Sequence, residues 1–195
     1  MIEYINGKIV ELTPTELILE CSGIGYSILI SLQSYQDLQG KEDAKVFIHH
    51  YLHEDDELYY GFSSKDEREL FKLLISVSGI GASTARMMLS SLSSEEIRDA
   101  ILSENVKKIQ GIKGIGTKTA QRVILELKDK IVKGDGASAA SLLGSQSSAN
   151  TEEAERALIM LGFTKQNVQK AVEKVLKTNP TAKVEDIIKA ALKIL

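Results

Sequence analysis

Two stretches of the chain, VSGIGASTA at Val77 to Ala85 and IKGIGTKTA at Ile112 to Ala120, carry one pattern at an offset of 35 residues. Gly79 and Gly114, Ile80 and Ile115, Gly81 and Gly116, Thr84 and Thr119, and Ala85 and Ala120 coincide in register, so the pair is an internal repeat. In each copy a helix-like apolar run, Leu70 to Val77 or Val106 to Ile112, stops at Gly-Ile-Gly. A second helical run, Ala82 to Leu89 or Thr117 to Leu127, starts within two residues. Each copy reads as helix, tight turn, helix.

Two glycines bracketing one apolar residue let the backbone turn through conformations with φ > 0 and leave no side chain between the turn's N–H groups and an incoming ligand. Bare amides at a helix N-terminus attract anions, above all phosphate. The pattern resembles the helix-hairpin-helix motif, which grips the DNA backbone without reading bases. A plain turn between packed helices is the simpler reading of one copy, and two copies in register argue against it.

The net charge of −3 is that of a chain with no general attraction for nucleic acid, but the charge is unevenly distributed. Residues 107–133 hold eight bases (Lys107, Lys108, Lys113, Lys118, Arg122, Lys128, Lys130, Lys133) against two acids, net +6. Residues 54–69 hold seven acids against two bases, net −5. A charge run is usually a solvated face. Here the basic excess surrounds the second Gly-Ile-Gly turn, where a bound phosphate needs it.

Residues 1–62 read as strands: Lys8 to Leu12, Leu17 to Cys21, Tyr26 to Ile30, Lys45 to Leu52 and Leu58 to Phe62 are rich in Ile, Val, Leu and Tyr, with turn signals at Thr13-Pro14-Thr15, Gly23 and Gly40. Five short strands suggest a small barrel of the OB type with a helical insert at Ser31 to Leu38, a β-sandwich fragment being the alternative. The stretch HEDDE, His53 to Glu57, reads as a hairpin tip with four consecutive acids. Turns favour Asp, so it is simply a polar turn unless its context says otherwise. Of His49, His50 and His53, only the first and last share a strand face, too few ligands for a zinc site. No metal and no cofactor are expected.

From Ser64 the period turns helical. Ser64-Lys65-Asp66-Glu67 and Ser93-Ser94-Glu95-Glu96 fit capping boxes, with Leu70, Phe71, Leu74 and Val77, then Ile97 and Ile101, on apolar faces. The two hairpins and their linking helix form one expected domain, 64–133. From Gly134 to Asn150, twelve of seventeen residues are Gly, Ser or Ala. That composition predicts a flexible tether with an r.m.s. span of ~20–25 Å. Three short amphipathic helices follow, at 152–161, 165–177 and 183–194, with Leu158, Leu161, Val168, Val172, Val175, Ile187, Ile188 and Leu192 as their core. Residues 151–195 are near the lower size limit for independent folding, and a tethered three-helix unit is more often a partner-binding module than a catalyst.

No apolar run approaches the ~20 residues of a membrane span, and the N-terminus lacks a basic-then-apolar signal region, so a cytoplasmic location is expected. The one cysteine, Cys21, lies in an apolar strand-like run and excludes an intramolecular disulfide framework. It reads as a buried small hydrophobe rather than a nucleophile.

From end to end the chain resembles the RuvA family, on an N-terminal stretch MIEYINGKIVE, the acidic hairpin followed by LYYGF, the tandem Gly-Ile-Gly hairpins, the Gly/Ser/Ala segment and the small C-terminal helical unit. The resemblance implies an α+β multidomain protein: an OB-fold β-barrel at 1–63, a tandem helix-hairpin-helix domain at 64–133, a flexible linker at 134–150 and a three-helix, UBA-like domain at 151–195. It implies a homotetramer, with a second tetramer on one junction as an open alternative. Such a tetramer holds a four-way DNA junction open on a concave basic face and recruits a RuvB-type ATPase motor through its C-terminal domain. A RuvC-type junction resolvase is a further partner it allows.

Residue by residue, the resemblance puts the phosphate-binding turns on Gly79, Gly81, Gly114 and Gly116, with Lys118 and Arg122 as basic contacts. It puts an acidic pin on Glu54 and Asp55. Ser83 and Thr117 stand where lysines are common in the family, and His53 where an arginine precedes the pin. The hydroxyls of Ser83, Thr84 and Thr117 still hydrogen-bond phosphate. No catalytic constellation is present in the sequence, and without a GxxxxGK[ST] loop ATP hydrolysis is expected of the partner. The competing classes are a helix-hairpin-helix DNA glycosylase or nuclease and a non-specific duplex-binding scaffold.

Overall fold

A computed structural model describes residues 2–52, 56–143, 146–179 and 182–195. Two compact units divide it, Met1–Val132 and Lys133–Leu195.

The first unit opens with β1 (Tyr4–Leu12), β2 (Glu16–Cys21), β3 (Ile24–Ile30), β4 (Asp43–Leu52) and β5 (Glu57–Phe62), closed in the order β1-β2-β3-β5-β4. Among the described residues only the β3–β5 pairing is parallel. Closure leaves no open sheet edge, and the sandwich alternative falls away. Inward alternation buries Leu17, Leu19, Ile28, Ile30, Val46 and Ile48 in a single aliphatic core. Cys21 packs half-buried against it and is a free thiol. Helix α1 (Leu32–Leu38) is the insert after β3, and Ser31 caps it by accepting from the Ser34 amide at 3.0 Å.

A second core begins on the outside of the barrel, where Tyr60 and Phe62 of β5 meet Leu70, Phe71 and Leu74 of α2 (Lys65–Ile75). It continues through α3 (Ala82–Ser91), α4 (Ser94–Leu102), α5 (Val106–Gln110) and the first turns of α6 (Thr117–Leu143). Barrel and hairpins share one compact unit.

The joint between them rests on two adjacent charged residues of α2. Ser64 caps α2 as the sequence predicts, but Glu67 does not complete the box. Its buried carboxylate accepts from Ser31 Oγ and, at 2.6 Å, from Ser34 Oγ, which in turn accepts the Ser63 amide at 2.8 Å. Arg68, 2% exposed, donates to the Glu3 carbonyl at 2.9 Å and pairs with the Glu3 carboxylate. A buried carboxylate outbids a capping role because leaving it unpaired is costly. The Ser93 box is complete.

Burial raises the Glu67 carboxyl above its ordinary range, against the opposing pull of the Ser31 and Ser34 hydroxyls. The folded chain thus holds this proton longer than the unfolded chain. The contribution is fully present below the unfolded carboxyl range of about 4.3 and is lost as pH rises through the raised value. Glu67→Gln should therefore melt near the parent at pH 4 and gain on it as pH approaches 7. A melting difference that does not change with pH sinks this account.

The second unit contains α7 (Gln146–Met160), α8 (Lys165–Thr178) and α9 (Val184–Ala191). Leu158, Val168, Val172, Val175 and Ile187 are buried as predicted, with Ile188 partly so. Leu161 and Leu192 are not: they are 61% and 43% exposed. Each lies just past the end of its helix, where the chain leaves the 3.6-residue period that put it on the apolar face. Gly162, at φ +100°, ends α7, and Phe163 takes the packing position with its amide donating to the Leu158 carbonyl at 3.3 Å.

Within the segment 134–150, read from composition as coil, α6 runs on to Leu143 and α7 starts at Gln146. Ala137, Ala139, Ala140, Leu142 and Leu143 are strong helix formers, and grouping Ala with Gly and Ser as one class hid the three alanines.

Candidate nucleic-acid interface

The two hairpin turns are built alike. After α2, the Val77 carbonyl accepts the Ile80 amide at 3.0 Å; after α5, the Ile112 carbonyl accepts the Ile115 amide at 3.1 Å. Gly79 and Gly114 sit between at φ +94° and +88°, a region that side chains with a β-carbon rarely enter. Ile80 and Ile115 point inward, 4% and 5% exposed. Burying each is worth roughly 1.5–3 kcal/mol, which anchors the turn. Gly81 caps α3 without a side-chain hydrogen bond, and its carbonyl accepts the Ala85 amide at 2.9 Å. The Gly116 carbonyl accepts the Ala120 amide at 2.9 Å in the same way. A β-carbon built on Gly79, Gly81, Gly114 or Gly116 would meet nothing within 4 Å. All four face open space.

Ser83, Thr117 and Lys118 are exposed beside these turns, and Thr84 is half-buried. Arg122, exposed on α6, donates to the Ser78 carbonyl at 3.2 Å and lies 3.9 Å from Glu126. Ser78 immediately precedes Gly79, so this guanidinium bridges the second hairpin to the turn of the first. Sequence offset could not show that. It makes Arg122 a shared cation at the junction of both turns, where the sequence predicts a contact of the second alone.

The repeat is unequal in charge. The positions of Lys113, Lys118 and Arg122 correspond, 35 residues earlier, to Ser78, Ser83 and Met87. At these three positions the first copy has no cation of its own, and Arg122 reaches its turn from the second hairpin. Lys113 is the residue the motif reading passed over. It is exposed inside the second turn, between Ile112 and Gly114, and its place within the basic run was the signal for it. Two other members of that run are spent elsewhere, Lys108 on Glu96 at 3.3 Å and Lys128 on Glu104. Both carboxyls are held below their usual range, Glu96 first by the Ser93 amide and Glu104 first by its hydrogen bond from Lys128.

The acidic hairpin divides differently from its sequence reading. Glu57 belongs to β5 and pairs with Leu52 in the ladder. His53, Glu54 and Asp55 lie outside the described residues. His49 packs against Phe71 with ring centroids 5.2 Å apart, and burial, with Lys72 and Arg68 nearby, lowers its pKa. Its imidazole is a packing group. Among the described residues no three His, Cys, Asp or Glu gather as metal ligands, and no helix is long and apolar enough to cross a membrane.

Fold and site together define a barrel protein with a tandem helix-hairpin-helix. The sequence pattern of the RuvA N terminal domain matches residues 1–61, that of the SAM-like Helix-hairpin-helix tandem residues 71–129, and that of the RuvA, C-terminal domain residues 149–195. Over all of both chains the sequence is 51% identical to the Holliday junction branch migration complex subunit RuvA of Christiangramia forsetii. It is 50% identical to the subunits of that name from Bacteroides fragilis and Flavobacterium psychrophilum, again over the whole of each chain. The chain belongs to the RuvA family.

Proposed function

We propose that this chain is the non-catalytic, DNA-binding subunit of a branch-migration complex. It binds four-way junctions without regard to base sequence and works with a RuvB-type ATPase, which supplies the hydrolysis. The observation that carries the reading is the pair of like-built turns whose glycines face open space, joined by Arg122, in a chain alike in full length to subunits that bear that name. A homotetramer repeats each pair of turns four times around a junction, one or two such tetramers enclosing it. The C-terminal unit recruits the motor, a RuvC-type resolvase is a further partner, and the complex works in the cytoplasm. The phosphate contacts are the amides at Gly79, Gly81, Gly114 and Gly116, the hydroxyls of Ser83, Thr84 and Thr117, and the cations Lys118 and Arg122. No cofactor has a part in this reading.

The deciding experiment is a gel-shift titration of junction against linear duplex alongside a mass measurement in solution. Tetramers that prefer the junction support the reading. Equal affinity for duplex supports a non-specific scaffold, and cleavage of labelled junction with Mg²⁺ alone supports a nuclease. Because the contacts are to phosphate, affinity should ignore base sequence and fall steeply with salt, by a log–log slope of about −0.9 for each phosphate neutralised. A flat salt dependence counts heavily against it.

Glu54 and Asp55 are proposed as an acidic pin. Four copies place about eight carboxylates near a junction's centre, and like charges 4 Å apart already repel by ~1 kcal/mol in water. Such repulsion costs affinity, and its use is to keep phosphates off the centre and disfavour linear duplex. Glu54→Gln with Asp55→Asn should raise affinity for duplex, narrow the preference for junction and alter the rate of motor-driven migration. A double variant that discriminates and migrates as the parent does would reduce HEDDE to a polar turn.

A further inference from the structure

The stem of the β4–β5 hairpin ends on a cluster that phosphate binding does not use. Along β4, Ala44, Val46 and Ile48 fill the barrel interior, and His50 is next on the same face. Its cross-strand partner is Tyr59, and the two rings stack with centroids 5.0 Å apart and planes 24° from parallel. Tyr26 of β3 meets Tyr59 edge-on at 6.2 Å. His50 Nε2 lies 3.0 Å from Glu57 Oε1, a close contact that is not an aligned hydrogen bond. The Tyr59 hydroxyl donates to that same oxygen at 2.9 Å.

This end of the barrel is plugged differently from the rest. The side chains of His50 and Glu57 are 23% and 56% exposed, so the cluster buries little apolar area compared with the aliphatic layers beneath it. Hydrophobic burial is non-directional, whereas a stacked pair tied to one carboxylate oxygen has a single geometry. The place where that geometry is imposed matters. Glu57 and Leu52 form the last pair of the ladder, and the chain leaves that pair directly for residues 53–55. Whatever fixes this pair fixes the point and direction from which the tip departs. Glu57, although one of the four consecutive acids, is thereby committed to the stem.

We propose that His50, Tyr59 and Glu57 form a clamp that positions the acidic tip, and that through the tip they set the preference for junction over duplex. The proposal rests on the reading of Glu54 and Asp55 as a pin. The three act as positioning residues and touch no DNA themselves.

The test uses the full-length protein and two readouts: hydrogen exchange at the Leu52 and Glu57 amides, and the ratio of duplex to junction dissociation constants. His50→Ala, Glu57→Gln and Tyr59→Phe are compared with Glu54→Gln/Asp55→Asn. The clamp predicts faster exchange in His50→Ala and Glu57→Gln, with the ratio lowered by about 1.5- to 5-fold, the range one cross-strand pair supplies. His50→Phe, which keeps the stack, should recover part of both. Tyr59→Phe should show a smaller loss of the same kind. If exchange in His50→Ala matches the parent, there is no clamp. If exchange quickens and the ratio holds while the pin variant lowers it, the cluster stabilises the stem without positioning anything, and the proposal is overturned. If the pin variant also leaves the ratio unchanged, the pin reading itself fails and takes the clamp's role with it.

Discussion

Gly116→Val is expected to remove most junction affinity and leave the folded protein nearly as stable as before. A β-carbon at Gly116 meets nothing within 4 Å, and Gly116 is not among the glycines with positive φ. The folded state therefore has no clash and no backbone strain to answer for. Its cost is confined to the cap of α6, where valine is a poorer N-cap than glycine, about 1 kcal/mol. The open space that spares the fold is the space a phosphate would occupy. A branched side chain there denies the ligand its amide contacts, each charge-assisted hydrogen bond being worth roughly 1.5–3 kcal/mol, so affinity should drop by more than about tenfold. Lys118→Ala should weaken binding less, since it removes one exposed charge and leaves the amides clear. Gly114→Val is the contrasting case. Its φ of +88° strains any β-carbon, so it should lose stability as well as binding. Junction affinity of Gly116→Val within threefold of the parent would mean that these amides are not the contact.

Ending the chain after Lys133 should abolish stimulation of a RuvB-type motor while junction binding stays within a few-fold of the parent. The helical core of the first unit has its last buried residue at Ile131, and the barrel core lies wholly upstream, so the cut removes nothing from either. All the proposed phosphate contacts remain. The second unit has a core of its own, from Ala154 to Ala191, and residues 151–195 alone should bind the motor. Loss of tetramers in the shortened protein would place the assembly interface in the C-terminal unit. Retained stimulation would remove that unit from motor binding.

The sequence by itself determined what depends on a few neighbouring residues. Five strands, the helical insert after Ile30, the caps at Ser64 and Ser93 and the paired Gly-Ile-Gly turns all follow from period, from capping chemistry or from the demand for φ > 0, and each is encoded within about ten residues. The repeat marked the two turns because a turn's geometry is local: Gly79 and Gly114 adopt the conformation their pattern asks for. Only the tertiary structure decided what joins distant parts. Glu67 looked like half of a capping box and is instead a buried link from α2 to Ser31 and Ser34, and its neighbour Arg68 is buried and holds Glu3, just ahead of β1. Arg122 reaches 44 residues back to Ser78 and couples two turns that the sequence presents as separate copies. Leu161 and Leu192 kept the period of a buried face but lie beyond the helices that would have carried it. In each case the partner is set by which surfaces the packed elements bring together, and a polar side chain leaving water takes the nearest group able to satisfy it, whatever its distance along the chain.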